Sequence, residues 1–261
     1  MPEAIRKKTN RVLVVSNVIG TVLPPVVLIS VLVLLWQYTC TARNIPIWLL
    51  AKPTDIVKAF SHGNAAIMPN IWVTYSNILI GFALAVVIGL ALAILISSFP
   101  LFGSALTPLI VALCCIPMVT LVPMLMLIFG LGNNVKIITI VIQAFPLVNM
   151  NAVVAFLNTN PTRLELMQSL KASRFQQFRY CILQDSLPGI FSGVKLASIM
   201  SMIAGVSAEM TGGNTGLGNR ISYFIQFSKT AEAMSCVIYI AILGALLYGG
   251  ISFLEKKMLK K

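Results

Sequence analysis

The chain has 261 residues, of which 58% are hydrophobic and only 10% charged, with a formal net charge of +12 and a mean hydropathy of +0.92. A soluble domain carries roughly 25% charged residues, so this chain cannot cover its surface with water-compatible groups and lipid must cover it instead. That excludes a free soluble enzyme. The basic excess is no nucleic-acid signal either, because the cations cluster at the ends of apolar runs, where anionic head groups attract them.

A lipid-embedded backbone closes its hydrogen bonds in helices or in a closed barrel. Barrel strands alternate apolar and polar residues, whereas a stretch such as 78–88 is apolar on both parities. The expected fold class is therefore all-α integral membrane. With about 20 apolar residues needed per crossing, six spans are read near 16–39, 74–97, 104–128, 136–157, 190–210 and 234–254.

The first run holds Pro24 and Pro25, which predicts a kink or a late helix start. After it comes a loop, 40–73, with Trp48 suited to an interface. A short helix is expected from Thr54 to Phe60, capped by Thr54, with Asp55 in its first turn. His62, the single histidine, falls in the same loop and reads as a surface residue. The third run is interrupted by Pro108, Pro117 and Pro123 and should be bent or split. Broken spans often line cavities, because freed carbonyls there meet water or substrate. Two short Gly-Leu-Gly-Asn matches, at 130–133 and 216–219, are the only internal repetition.

Between the fourth and fifth runs the text changes character. Residues 158–189 are polar and basic, with Leu164, Met167, Leu170, Phe175 and Phe178 at helical spacing and Arg163, Lys171, Arg174 and Arg179 around them. Such a hairpin can lie on a membrane surface or fit a groove on a partner. With a cytoplasmic N-terminus and six crossings, cytoplasmic segments hold 12 basic residues. Outer segments hold 6, namely Arg43, Lys52, Lys58, Lys136, Arg220 and Lys229, with Lys195 just inside the fifth span. The bias puts both termini and the hairpin inside.

Catalytic machinery is not expected. No carboxylate pair, Ser-His set or metal-spaced cysteine pair stands at membrane depth, and GxxxxGK[ST] is missing. The five cysteines read as small buried hydrophobes. Glu209 closes the fifth span and Lys195 opens it. Polar groups that could face a pathway are Gln143, Asn149, Asn151, Ser201, Ser207 and Glu209. Among these, Gln143, Asn149, Ser207 and Glu209 are the substrate-pathway candidates. Helix polar residues also bond neighbouring helices, so both roles remain open.

The hairpin resembles the cytoplasmic coupling motif, the EAA loop, of ABC importer permeases, in particular the branch importing sulfonates, taurine, nitrate or thiamine-type pyrimidines. It reads Leu164-Glu165-Leu166-Met167-Gln168-Ser169-Leu170-Lys171-Ala172-Ser173, then Phe178, Cys181 to Pro188, and Gly193-Val194-Lys195-Leu196-Ala197. Three further blocks agree in order: Ile116-Pro117 to Pro123 with 129–132, Phe145-Pro146 with Asn149, and Ala208-Glu209-Met210 with Gly216-Leu217-Gly218. The similarity covers roughly 65–255. The chain departs at Leu166 and Met167, which replace alanines, at Lys171, which replaces a glycine in the bend, and at Gln184, which replaces a proline.

The resemblance implies a MetI-like, type I ABC importer permease fold. Residues 1–64 would form an N-terminal helix and outer loop, 65–255 a permease core with coupling hairpin 158–189, and 256–261 a basic tail. It implies a multi-pass subunit of the bacterial inner membrane, paired with a second permease subunit, most simply a copy of itself. Partners would be a cytoplasmic ATP-binding cassette subunit, which carries the ATP, and an extracellular or periplasmic solute-binding protein. No cofactor, metal or nucleic acid is expected on this chain. Coupling would rest on Glu165, Leu166, Met167, Leu170, Lys171, Ala172 and Phe178, with Glu165 near the start of its helix and Leu170 and Phe178 as the apolar contact. The alternative is a secondary carrier or channel without an ATPase.

Overall fold

A computed structural model describes residues 3–61 and 67–259, with side chains from Leu23 onward except Pro100. His62 lies outside the described residues. Every described regular element is helical. Helix α1 (Glu3–Ala42) runs unbroken through Pro24 and Pro25, so the expected late start does not occur. Its apolar side chains from Leu23 to Leu35 are exposed, and among the described side chains it packs near its end, against α2 (Pro53–Ser61) and, through Trp36, against the cluster of Ala51, Ile56 and Ala231. Proline at the first position starts α2, so Thr54 lies inside the first turn rather than capping it, and its N–H donates to Gln37 Oε1 at 3.3 Å.

The core is a trio of α3 (Met68–Ser98), α6 (Asn133–Leu157) and α9 (Leu183–Gly212). Helix α3 places Gly81, Ala85, Gly89 and Ala93 at every fourth position, all of them buried. Small residues let backbones approach where lipid removes the hydrophobic drive between helices. An added Cβ at Gly81 would stand 2.7 Å from Ile140 Cβ of α6. Asn149 Nδ2 donates to Gly89 O at 3.2 Å across the same seam.

The third apolar run is two helices, α4 (Pro100–Cys114) and α5 (Met118–Phe129), bent by 101° at the residues between them. Pro117 removes an amide and ends α4. Proline at the start of α4 and Pro108 and Pro123 inside the two halves leave both continuous. The pair still joins opposite ends of the bundle. Gly103 lies by Ile96 at the far end of α3, while Met126 lies by Gly212 at the end of α9. Among the described residues five helices are long and apolar enough to cross a membrane, or six with the bent pair as one span.

The hairpin follows α6 as α7 (Pro161–Ser169) and α8 (Arg174–Gln177), and a π-helical turn, Phe178–Ile182, joins α8 to α9 without a break. Residues 174–212 are thus one helical rod of 39 residues. Helix α10 (Leu217–Gln226) folds back over the other end, and α11 (Thr230–Leu259) returns along α9. Lys195 and Glu255 form an ion pair between α9 and α11 near the hairpin.

Candidate functional site: hairpin, latch and bend cavity

Helix α7 has matched ends. Asn160 caps it by accepting from Thr162 N at 3.0 Å, and Pro161 takes the first position. At its other end Ala172 N donates to Met167 O at 3.0 Å and Lys171 N to Gln168 O at 2.9 Å, with Lys171 at φ +55°. This pair of bonds around a left-handed residue is the Schellman arrangement, which favours glycine. Lys171 therefore keeps the bend despite its side chain. Ser173 then caps α8 reciprocally, accepting from Gln176 N at 3.3 Å while its own N–H donates to Gln176 Oε1 at 2.8 Å.

Glu165 sits in the middle of α7, and the first turn holds no acidic residue, so Asn160 rather than Glu165 serves the helix start. Phe178 also differs from expectation. Its ring meets Phe156 edge-on at 5.6 Å and packs with Ile182 and Leu183 on the bundle. The π turn rotates it inward, and there it anchors the hairpin. Arg163 on α7 pairs with Asp185 on α9. Leu164, Met167 and Ala172 are half-buried. The outward apolar side chains are Leu166 at 61% exposure, Leu170 at 69%, Phe175 at 71% and Tyr180 at 59%, beside exposed Glu165 and Lys171. Phe175 replaces Phe178 as the outward phenylalanine; helical spacing alone could not tell which of the two turned in.

At the opposite end, Glu209 is 1% exposed. Thr74 Oγ1 donates to its Oε2 at 2.8 Å, and Gly218 N donates to the same oxygen at 3.0 Å. Lys136 Nζ stands 3.7 Å from Oε1 and donates to Thr215 O at 2.8 Å and Thr215 Oγ1 at 3.1 Å. Thr74 Oγ1 also accepts from Leu217 N at 2.8 Å, and Asn70 Oδ1 from Gly216 N at 2.6 Å. The latch ties α3, α6, α9 and the 213–218 loop into one buried network. Lys136, expected in an outer loop, is 2% exposed within α6 and so is no head-group lysine. The first glycine of each Gly-Leu-Gly-Asn match has positive φ, +77° at Gly130 and +108° at Gly216.

The four pathway candidates divide. Asn149 is buried in the α3–α6 seam and Glu209 in the latch. Asn151 Nδ2 and Ser201 Oγ bond their own helices, to Leu147 O and Ala197 O, each at 2.8 Å. Gln143 and Ser207 instead share a cavity of about 340 Å³ at the α4–α5 bend, with Cys114, Cys115, Pro117 and Ile203 among its walls. Ser207 and Glu209 lie two residues apart, about 200° round one helix, which is why one faces the cavity and the other the latch. Among the described residues no cluster of three or more His, Cys, Asp or Glu could hold a metal ion.

Residues 85–260 match the family described as "Binding-protein-dependent transport system inner membrane component". The chain belongs to that family. This makes it a multi-pass membrane transport component, as its apolar helices require. It is 27% identical over 251 residues to the nitrate import permease protein NrtB of Leptolyngbya laminosa, covering 94% of this chain and 90% of the relative. It is also 27% identical over 260 residues to the putative aliphatic sulfonates transport permease protein SsuC of Bacillus subtilis, covering 99% and 92%. Among solved structures, a chain of the MetNI methionine ABC transporter in an inward-facing conformation superposes with a TM-score of 0.63 at 19% identity, covering 74% of this chain and 96% of that one. That likeness establishes the MetI-like permease fold.

Proposed function

We propose that this family member is the membrane-spanning subunit of an ATP-driven importer, moving a small polar or anionic solute delivered by a binding protein. Two copies would work with two ATP-binding subunits at the hairpin end, which is the cytoplasmic end and carries both termini. The binding protein would meet the latch end. ATP hydrolysis belongs to the separate subunit. Nitrate and aliphatic sulfonates, the solutes named for the two relatives, mark the class of cargo.

One observation carries this reading. The hairpin turns Leu166, Leu170 and Phe175 outward on a short, doubly capped helix pair, and α8 continues through the π turn into the 39-residue rod. A partner that binds those side chains grips the end of α9. From Phe175 to Ser207 the rod spans about 48 Å, so rotating its base moves the wall of the bend cavity. A helix anchored by packing transmits such a rigid-body motion, whereas a loosely tethered loop would absorb it.

The test is to purify the tagged chain from its native membrane in mild detergent. An ATP-binding cassette subunit is expected to co-purify, and Leu166→Asp with Leu170→Asp should release it while the permease stays inserted at normal abundance. A wild-type chain that transports solute with no cassette subunit attached would overturn this reading in favour of a secondary carrier.

A further inference from the structure

The bend cavity holds two polar side chains with nothing to bind. Among the described residues neither Gln143 nor Ser207 makes a side-chain hydrogen bond, and Gln143 Oε1 is buried without a partner. Every other wall is apolar, a thiol or broken-helix backbone, with no charged side chain. A buried acceptor left unmatched costs roughly 1–3 kcal/mol and needs an explanation. Among the described residues Asn149, Asn151, Ser201 and Glu209 are matched, and Trp36 Nε1 and Asp185 Oδ2 are the other span side-chain atoms buried without a partner, neither of them on a wall of this cavity.

The cavity also collects both ends of a broken span. The last turn of α4 reaches it at Cys114 and Cys115, and the first turn of α5 reaches it at Met118 and Val119, behind a proline cap with no side-chain hydrogen bond. The end of α4, with its orphan carbonyls, and the start of α5, with its orphan amides, thus lie beside Gln143 and Ser207. Gln143 lies ten residues along α6, about 15 Å from its start and well inside the hydrocarbon layer. A bare anion brought to that depth among uncharged walls loses its hydration with no counter-charge to replace it. A zwitterion has no net charge, and both of its ends find partners.

Resting on the importer reading, we propose that the Gln143–Ser207 cavity is the solute-selecting subsite and that it prefers a small zwitterion bearing an oxyanion and an N–H donor over the same oxyanion alone. The oxyanion end accepts from Ser207 Oγ and the α5 amides, and the N–H end donates to Gln143 Oε1.

Membrane vesicles containing the complete transporter test this with 2-aminoethanesulfonate, ethanesulfonate and nitrate as probes. Two readouts are needed: uptake KM, and protection of thiols from a methanethiosulfonate reagent. Cys114 and Cys115 are exposed while Cys40, Cys181 and Cys236 are buried, so the reagent reports on this wall. The aminosulfonate should protect at lower concentration than ethanesulfonate. Gln143→Leu should raise its KM roughly tenfold, the size of one charge-assisted hydrogen bond, and abolish its advantage. Ser207→Ala should weaken both sulfonates alike. Equal protection by the two sulfonates, or a preference unchanged in Gln143→Leu, overturns this proposal and leaves the importer reading standing. Wild-type vesicles that take up none of the three probes overturn the proposed cargo class, and the subsite with it.

Discussion

A Cβ added to Gly216 would stand 2.1 Å from the Glu209 carboxylate. The glycine sits at φ +108° and ψ 168°, a region L side chains rarely occupy, and its own N–H is held by Asn70. The loop thus folds down onto the carboxylate. Glu209 in turn holds Gly218 N and faces Lys136. A buried charge is tolerable here because each oxygen has a partner.

Removing one side of this pair strands the other. Lys136→Met should destabilise the permease by about 3–5 kcal/mol, whereas Lys136→Met combined with Glu209→Gln should recover much of that loss. Thermal unfolding of the detergent-purified chain measures both. Additive losses in the double variant would show that the two residues act independently.

The two positive-φ glycines separate strain from crowding. Around Gly130 nothing lies within 4 Å of an added Cβ, so Gly130→Ala should cost only the backbone strain, about 1–3 kcal/mol. Gly216→Ala adds displacement of Glu209 and should lower the unfolding temperature further. The ranking is the check, with Gly216→Ala the more damaging.

The spans were legible because lipid leaves few choices: the runs were too apolar and too long for anything but helices, and three prolines marked the bend. Partnerships were not legible. Thr74 and Glu209 are 135 residues apart, and Lys136 and Thr215 are 79 apart. Composition read Lys136 as a loop cation and Glu209 as a pathway carboxylate, because no local pattern encodes a contact between distant helices. In the hairpin, apolar spacing marked a stripe, but the π turn decided which phenylalanine faced in. Gln143 and Ser207 stand out in the sequence as polar residues within spans; that they share one cavity follows from the helix packing.

With Lys136 withdrawn, the basic residues of the sequence divide 12 to 5 between the segments expected inside and those expected outside. That strengthens the inside orientation proposed for the hairpin. In a background with Cys114 and Cys115 replaced by serine, an impermeant thiol reagent applied outside should label a cysteine at position 49 and miss one at 171. Both positions are exposed, so burial does not confuse the result. The reverse pattern would invert the orientation.

Lys171 occupies the left-handed conformation at φ +55°, where a side chain costs about 1–2 kcal/mol relative to glycine. Lys171→Gly should tighten the bend, seen as slower hydrogen exchange at residues 171 and 172, whose amides close it. Lys171→Ile should loosen it, because a β-branched residue resists that conformation most. Faster exchange in Lys171→Gly would mean that the lysine side chain holds the bend through contacts of its own.

Phe175 and Phe178 are three residues apart and should fail in different ways. Phe178 anchors the hairpin on Phe156, so Phe178→Ala removes packing within the chain; half-buried, it should cost about 2 kcal/mol, below the range for a fully buried ring. Phe175 is 71% exposed, and Phe175→Ala should leave the isolated permease as stable as wild type, within about 0.5 kcal/mol. If an ATP-binding subunit docks on the outward face, Phe175→Ala should instead weaken its capture severalfold, as truncating an aromatic at the centre of an interface does. Unfolding of the isolated chain and pull-down of the complex, run on both variants, separate the roles. Loss of stability in Phe175→Ala with intact capture would place the docking surface elsewhere.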